Sequence, residues 1–133
     1  MNIYIDSNVF ISAISKSQQT ELAENLFEVA DSGKHKLYAS LIVYAEVLWG
    51  NESGVDVSAY IDKFPSSFCD VNKETIVSAA GLRKAHPGLK LPDAIHLATA
   101  INQNCEILVT DDIQLQKIAS KYLQSVGLDR VNP

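Results

Sequence analysis

The chain has 133 residues, enough for one domain with a sizeable core and few for two. Hydrophobic residues make up 47% and charged residues 20%, a balance that excludes wholesale disorder. A net charge of −5 excludes a global basic field for nucleic acid, so any such contact has to be local or assisted by a cation.

In chain order, residues 2–5 (NIYI) read as a short buried strand ending at Asp6. From Glu21 to Ala30 the residues Leu22, Leu26, Phe27, Val29 and Ala30 recur at helical spacing, and Gly33 supplies a terminator. Residues 35–39 (HKLYA) suggest a second strand, after which Ser40 caps a helix running to Trp49. A short helix from Val57 stops at Pro65, and SFCDV gives a third strand. Asn72 caps a helix through Lys84, AHPGLK is a loop, and Pro92 opens the helix of LKLPDAIHLATA. CEILVT is a β-rich strand ending at Asp111 and Asp112. Leu115, Ile118, Ala119, Tyr122 and Leu123 then predict an amphipathic helix ended by Gly127, with LDRV as a final strand. Strands alternating with helices predict an α/β domain over 1–133, a central parallel sheet of four to five strands flanked by helices. Ligands of such sheets gather beyond the carboxyl ends of the strands.

No apolar run approaches the roughly 20 residues of a membrane helix, and the amino terminus lacks the basic segment of a signal peptide. Cys69 and Cys105 fit neither a disulfide framework nor a zinc site, so buried, reduced thiols in a cytoplasmic protein are expected.

The acids carry the chemistry. Asp6 follows the first strand and Asp111–Asp112 follow the strand CEILVT, which puts them at one edge of the predicted sheet. Glu46 is the one charge in the apolar stretch LIVYAEVLW, and Asp93 lies in the first turn of an apolar helix. A carboxylate beside a core is costly unless something holds it ionised. The dipole of its own helix favours Asp93, and a divalent cation such as Mg²⁺ or Mn²⁺ would relieve the mutual repulsion of converging acids. Taken singly, each acid has an ordinary reading: a turn or helix cap for Asp6, Asp111 and Asp112, a first-turn acid for Asp93, an ion pair for Glu46. Their order and spacing together favour a site.

IYIDSNVFISAI, VYAEVLWG, LKLPDAIHLATA and ILVTDD resemble the four motifs of the PIN-domain family, and more narrowly those of VapC-type toxins. The resemblance extends from Asn2 to about Leu123. It implies a PIN-like nuclease domain, a Mg²⁺- or Mn²⁺-dependent endoribonuclease acting as the toxin of a toxin–antitoxin pair. Asp6, Glu46, Asp93 and Asp112 would then be the catalytic and metal-binding acids, with Ser7, Asn8, Thr110 and Asp111 in support. The fourth motif usually reads Thr-Asn-Asp; here Asp111 stands in place of the Asn, which leaves two candidates for the fourth acid.

His96, three residues after Asp93, shares its helix face, and a packed supporting histidine fits better than a ligand because hard Mg²⁺ prefers oxygen. Trp49 is expected in the core or at an interface. Arg83, Lys84 and Lys90, with His86, form a local strip for RNA phosphates; capping of their own helix end explains the first two equally well. A cognate antitoxin and a homodimer are the partners the resemblance implies, with no membrane. The alternatives are a catalytically inactive PIN-like interaction or RNA-binding module, and a haloacid-dehalogenase-like phosphatase. Against the latter, Asp6-Ser7-Asn8 departs from its Asp-x-Asp and the chain is short for its cap domain.

Overall fold

The computed structural model describes residues 1–15, 19–49 and 56–131. Its framework is a five-stranded, all-parallel sheet in the order β3-β2-β1-β4-β5. The strands are β1 (Asn2–Ile5), β2 (Lys36–Ser40), β3 (Ser66–Cys69), β4 (Ile107–Val109) and β5 (Gln124–Val126). Among the described residues seven α-helices flank them: α1 (Ser7–Ile14), α2 (Thr20–Asp31), α3 (Ile42–Trp49), α4 (Val57–Asp62), α5 (Lys73–Ala85), α6 (Leu91–Asn102) and α7 (Ile113–Ala119). The predicted fold class holds.

The strands are buried on both faces, so their residues alternate between two cores. Ile3, Ile5, Leu37, Ala39 and Val109 point to one side, against Val9, Phe10, Leu26, Phe27, Val43 and Ile61. Tyr4 and Leu108 point to the other, against Ala79, Leu89, Ala94, Ile95, Leu97, Ala98 and Leu115. On the first side Phe10 stacks on Phe64 at 5.1 Å, and Phe27 lies 4.5 Å from the same ring.

The expected caps are present. The Asn72 side chain accepts from the Thr75 N–H at 3.0 Å, and the Ser40 hydroxyl accepts from the Ile42 N–H at 3.2 Å. Gly33 ends α2 at φ +85°, the left-handed region in which a side chain would be strained.

Three assignments are corrected. Residues 7–14, given no element from sequence, form α1, because the Asp6 carboxylate caps it by accepting from the Asn8 N–H. The last predicted helix stops at Ala119. Its continuation Gln124–Val126 is strand β5, whose backbone pairs with the open edge of β4. The predicted final strand LDRV is instead a 3₁₀ turn at Leu128–Arg130, its first N–H accepted by Asp111 Oδ1 at 3.0 Å. Trp49 is 91% exposed at the end of α3, so it is no core residue. Both cysteines are free, Cys105 buried and Cys69 half-buried.

Candidate active site: an acidic cup at the carboxyl edge of the sheet

Asp6 and Thr110 leave the carboxyl ends of the adjacent strands β1 and β4, and the structure joins them. The Thr110 hydroxyl donates to Asp6 Oδ2 and accepts from the Asp112 N–H at 3.2 Å. Asp6 Oδ1 accepts from the Asn8 N–H at 3.0 Å, so both oxygens of this carboxylate are held. Asp6 is only 4% exposed. Burial pushes its pKa up to about 6, against the lowering effect of Thr110 and Asn8, and nearby Glu46 adds to the rise.

Glu46 reaches the same place from α3. Its Oε1 receives the Ser7 hydroxyl at 2.6 Å and lies 2.6 Å from His96 Nε2. Partial burial raises the Glu46 pKa, but the hydrogen bonds from His96 and Ser7 outweigh it and hold the group below the usual range. His96 is buried at the second turn of α6, and its Nδ1 lies 2.6 Å from the Tyr4 hydroxyl. The histidine is thus packed behind an acid, the arrangement expected from its spacing.

Asp93 occupies the first turn of α6, behind Pro92. Among the described residues no hydrogen-bond or ion-pair partner reaches its carboxylate. Burial raises its pKa, and repulsion from Asp112 and Glu46 raises it further, while His96 and then Lys90 at the helix cap oppose the rise. This coupling brings Asp93, Asp112 and Glu46 into one electrostatic neighbourhood, and that of Asp6 with Glu46 closes the set.

The two neighbouring aspartates diverge. Asp112 caps α7, its Oδ1 accepting from the Leu115 N–H at 3.0 Å, and it repels Asp93. Asp111 turns to the Leu128 N–H, away from that duty. Of the basic strip, Arg83 Nε donates to the Leu89 carbonyl at 3.1 Å and so braces the loop, whereas Lys84 and Lys90 are exposed.

Among the described residues no three His, Cys, Asp or Glu side chains stand close enough to form a ready cage for a metal ion. The donor chemistry nevertheless fits a hard divalent cation. The donors are carboxylate oxygens, at least one is desolvated, and their mutual repulsion is offset only in part by His96 and Lys90. A cation of this kind keeps several waters and needs only one or two direct carboxylates.

A parallel sheet with carboxylates converging at its carboxyl edge defines a candidate hydrolase of the metal-assisted class. The PIN-domain family model matches residues 3–121, and the chain belongs to that family. PIN domains are generally nucleases and generally use divalent metals. Membership sets aside the haloacid-dehalogenase alternative. The fold is similar to that of VapBC2 from Rickettsia felis bound to a DNA fragment from its promoter, with TM-score 0.74 and 22% identity over 96% of this chain and 98% of that one. It is also similar to a toxin–antitoxin complex from Klebsiella pneumoniae, with TM-score 0.65 and 25% identity over 83% and 86% of the two chains. The PIN domain endonuclease Utp24 aligns with TM-score 0.58 and 16% identity over 99% of this chain and 86% of that one. No curated protein matches by sequence.

Proposed function

We propose that the protein is a Mg²⁺- or Mn²⁺-dependent endoribonuclease, the toxin of a toxin–antitoxin pair acting in the cytoplasm. The observation that carries this reading is the buried Asp6 at the sheet edge, its two oxygens held by Asn8 and Thr110, with the Thr110 hydroxyl also bonded to the Asp112 N–H and the adjoining Ser7 bonded to Glu46. Asp6 and Asp93 are the direct ligands, and Glu46 and Asp112 complete the site directly or through water. When bound, the cation supplies a lowered pKa for the attacking water and neutralises charge on the phosphodiester. The chain's own residues do the positioning. Thr110 holds Asp6 in its orientation, Ser7 holds Glu46, and Asn8 fixes the other Asp6 oxygen through its backbone.

Asp112 is the better fourth acid, because its charge reaches Asp93 whereas Asp111 is engaged by the turn at Leu128. Lys84 and Lys90 supply the local contact with RNA phosphates that an acidic chain needs, and Arg83 contributes by bracing their loop. Leu41, Leu48 and Trp49 are exposed in and beside α3, which supports a protein partner there: an antitoxin, as in the complexes above, or a second copy in a homodimer.

A second reading, a PIN-like module without activity, draws on the absence of a ready metal cage among the described residues and on the engagement of both Asp6 oxygens. The experiment is titration with Mn²⁺ followed by cleavage of a pool of cellular RNA by wild type and Asp6→Asn. Metal-dependent cleavage by wild type alone supports the nuclease. No binding and no cleavage by either supports the module.

A further inference from the structure

Behind Glu46 lies a buried chain of hydrogen bonds that ends in the sheet itself. Tyr4, in the central strand β1, is fully buried, and its hydroxyl accepts from the Ser40 N–H at 3.1 Å. A phenol has one proton to donate. Among the described residues, its one acceptor within hydrogen-bonding distance is His96 Nδ1, at 2.6 Å. A buried hydroxyl proton left without an acceptor is costly, so Nδ1 takes the proton-accepting role and carries no hydrogen itself. The ring hydrogen is then on Nε2. It points at Glu46 Oε1, 2.6 Å away, rather than at the Ser7 hydroxyl at 3.5 Å. Ser7 donates to the same Oε1 at 2.6 Å, and no hydrogen bond among the described residues engages Oε2.

We propose that His96, fixed as its Nε2–H tautomer by Tyr4, is a positioning residue for the acidic cup. It clamps Glu46 through Oε1 and reserves Oε2 for a divalent cation or its water. The proposal rests on the nuclease reading and adds a residue to it. The relay explains why the helix buries an imidazole, 2% exposed, between Ile95 and Leu97. Leu or Ile would fill the space but would leave the Tyr4 hydroxyl without an acceptor and Glu46 with Ser7 as its one donor. Partners of this kind behind a ligand typically change metal affinity or activity by about 10- to 100-fold.

The test compares wild type with His96→Leu, His96→Gln and Tyr4→Phe, with folding of each checked by circular dichroism. Two readouts are used on the metal-free protein: the ¹⁵N spectrum of the His96 ring, and Mn²⁺ affinity by calorimetry. Expected are an Nε2–H tautomer in wild type and its loss of uniqueness in Tyr4→Phe. Mn²⁺ affinity should fall about 10- to 100-fold in His96→Leu. His96→Gln, whose amide offers an N–H to Glu46 and a carbonyl to Tyr4, should recover most of that loss. An Nδ1–H tautomer in wild type overturns the proposal. So does a folded His96→Leu that binds Mn²⁺ like wild type, or a folded His96→Gln as weak as His96→Leu. If His96→Leu does not fold, Tyr4→Phe decides: unchanged tautomer and affinity sink the relay. Wild type that binds no Mn²⁺ at all removes the nuclease reading and this proposal with it, a result distinct from equal binding by wild type and variant.

Discussion

The two faces of the sheet are built differently. On one, the core around Phe10, Phe27, Phe64 and Phe68 is aromatic and aliphatic, with Tyr44 and Tyr60 packed at its margin. On the other, Tyr4 and His96 are buried as deeply, but the Tyr4 hydroxyl bonds the His96 ring, and the ring in turn reaches Glu46 of α3. The first face holds the sheet together by removing carbon from water. The second gives up part of that gain to hold charged groups in a fixed place. Stability and chemistry should therefore separate by face under mutation.

The largest stability effect is expected from Phe10→Ala, on the apolar face. It removes a fully buried ring and should cost about 3–5 kcal/mol in denaturant unfolding, with cleavage per folded molecule nearly unchanged. Loss of cleavage beyond the unfolded fraction would blur the division. Asp6→Asn should do the reverse, lowering RNA cleavage by at least about a hundredfold, or ~2.7 kcal/mol in the barrier. Its fold should be intact, as judged by circular dichroism.

The pH dependence follows from the same residue. The folded-state pKa of Asp6 is about 6, above its ordinary 3.8, so the folded metal-free protein binds a proton more tightly than the unfolded chain. That contribution to stability is complete below pH ~4 and is lost as pH rises through about 6, a change of about 3 kcal/mol at most. Melting curves of metal-free protein should accordingly show a stability loss between about pH 4 and pH 6 that Asp6→Asn lacks. Equal slopes in the two proteins would mean that Asp6 is not desolvated.

Asp112 tests whether one residue serves both purposes. Asp112→Ser keeps a capping oxygen for Leu115 and should hold stability within about 0.5 kcal/mol, whereas Asp112→Ala should lose about 1 kcal/mol. Both should impair cleavage, and Asp111→Asn should not. Retained activity in Asp112→Ser would transfer the role of fourth acid to Asp111. The smallest effect is expected from neutralising Lys84 and Lys90 together, which should lower the dependence of log affinity for RNA on log salt by up to about 1.4 for two phosphate contacts. An unchanged slope would place the RNA elsewhere.

Much of the architecture was legible because parallel strands leave apolar runs such as NIYI and CEILVT, and caps such as Asn72 mark helix starts. The misreadings have physical causes. Asp6-Ser7-Asn8 looks like a turn until the Asp6 carboxylate is seen to cap α1 with an oxygen while its burial prepares it for chemistry. Leu115 to Leu123 has helical periodicity throughout, yet Lys121 to Leu123 form a turn that brings Gln124–Val126 to the backbone hydrogen bonds offered by β4, a demand that no local pattern displays. Among the acids, position relative to strand ends was readable, but the divergence of Asp111 from Asp112 depended on where Leu128 came to lie.

Residue order alone determined the alternation of strand and helix, hence the parallel sheet and the edge at which its acids emerge, because periodicity and capping act over a few neighbours. Only the tertiary structure decided which acid meets which partner: Tyr4 with His96 across 92 positions, Asp6 with Thr110 across 104. Contacts at that separation are set by how helices dock on the sheet, and docking is chosen by the whole core at once.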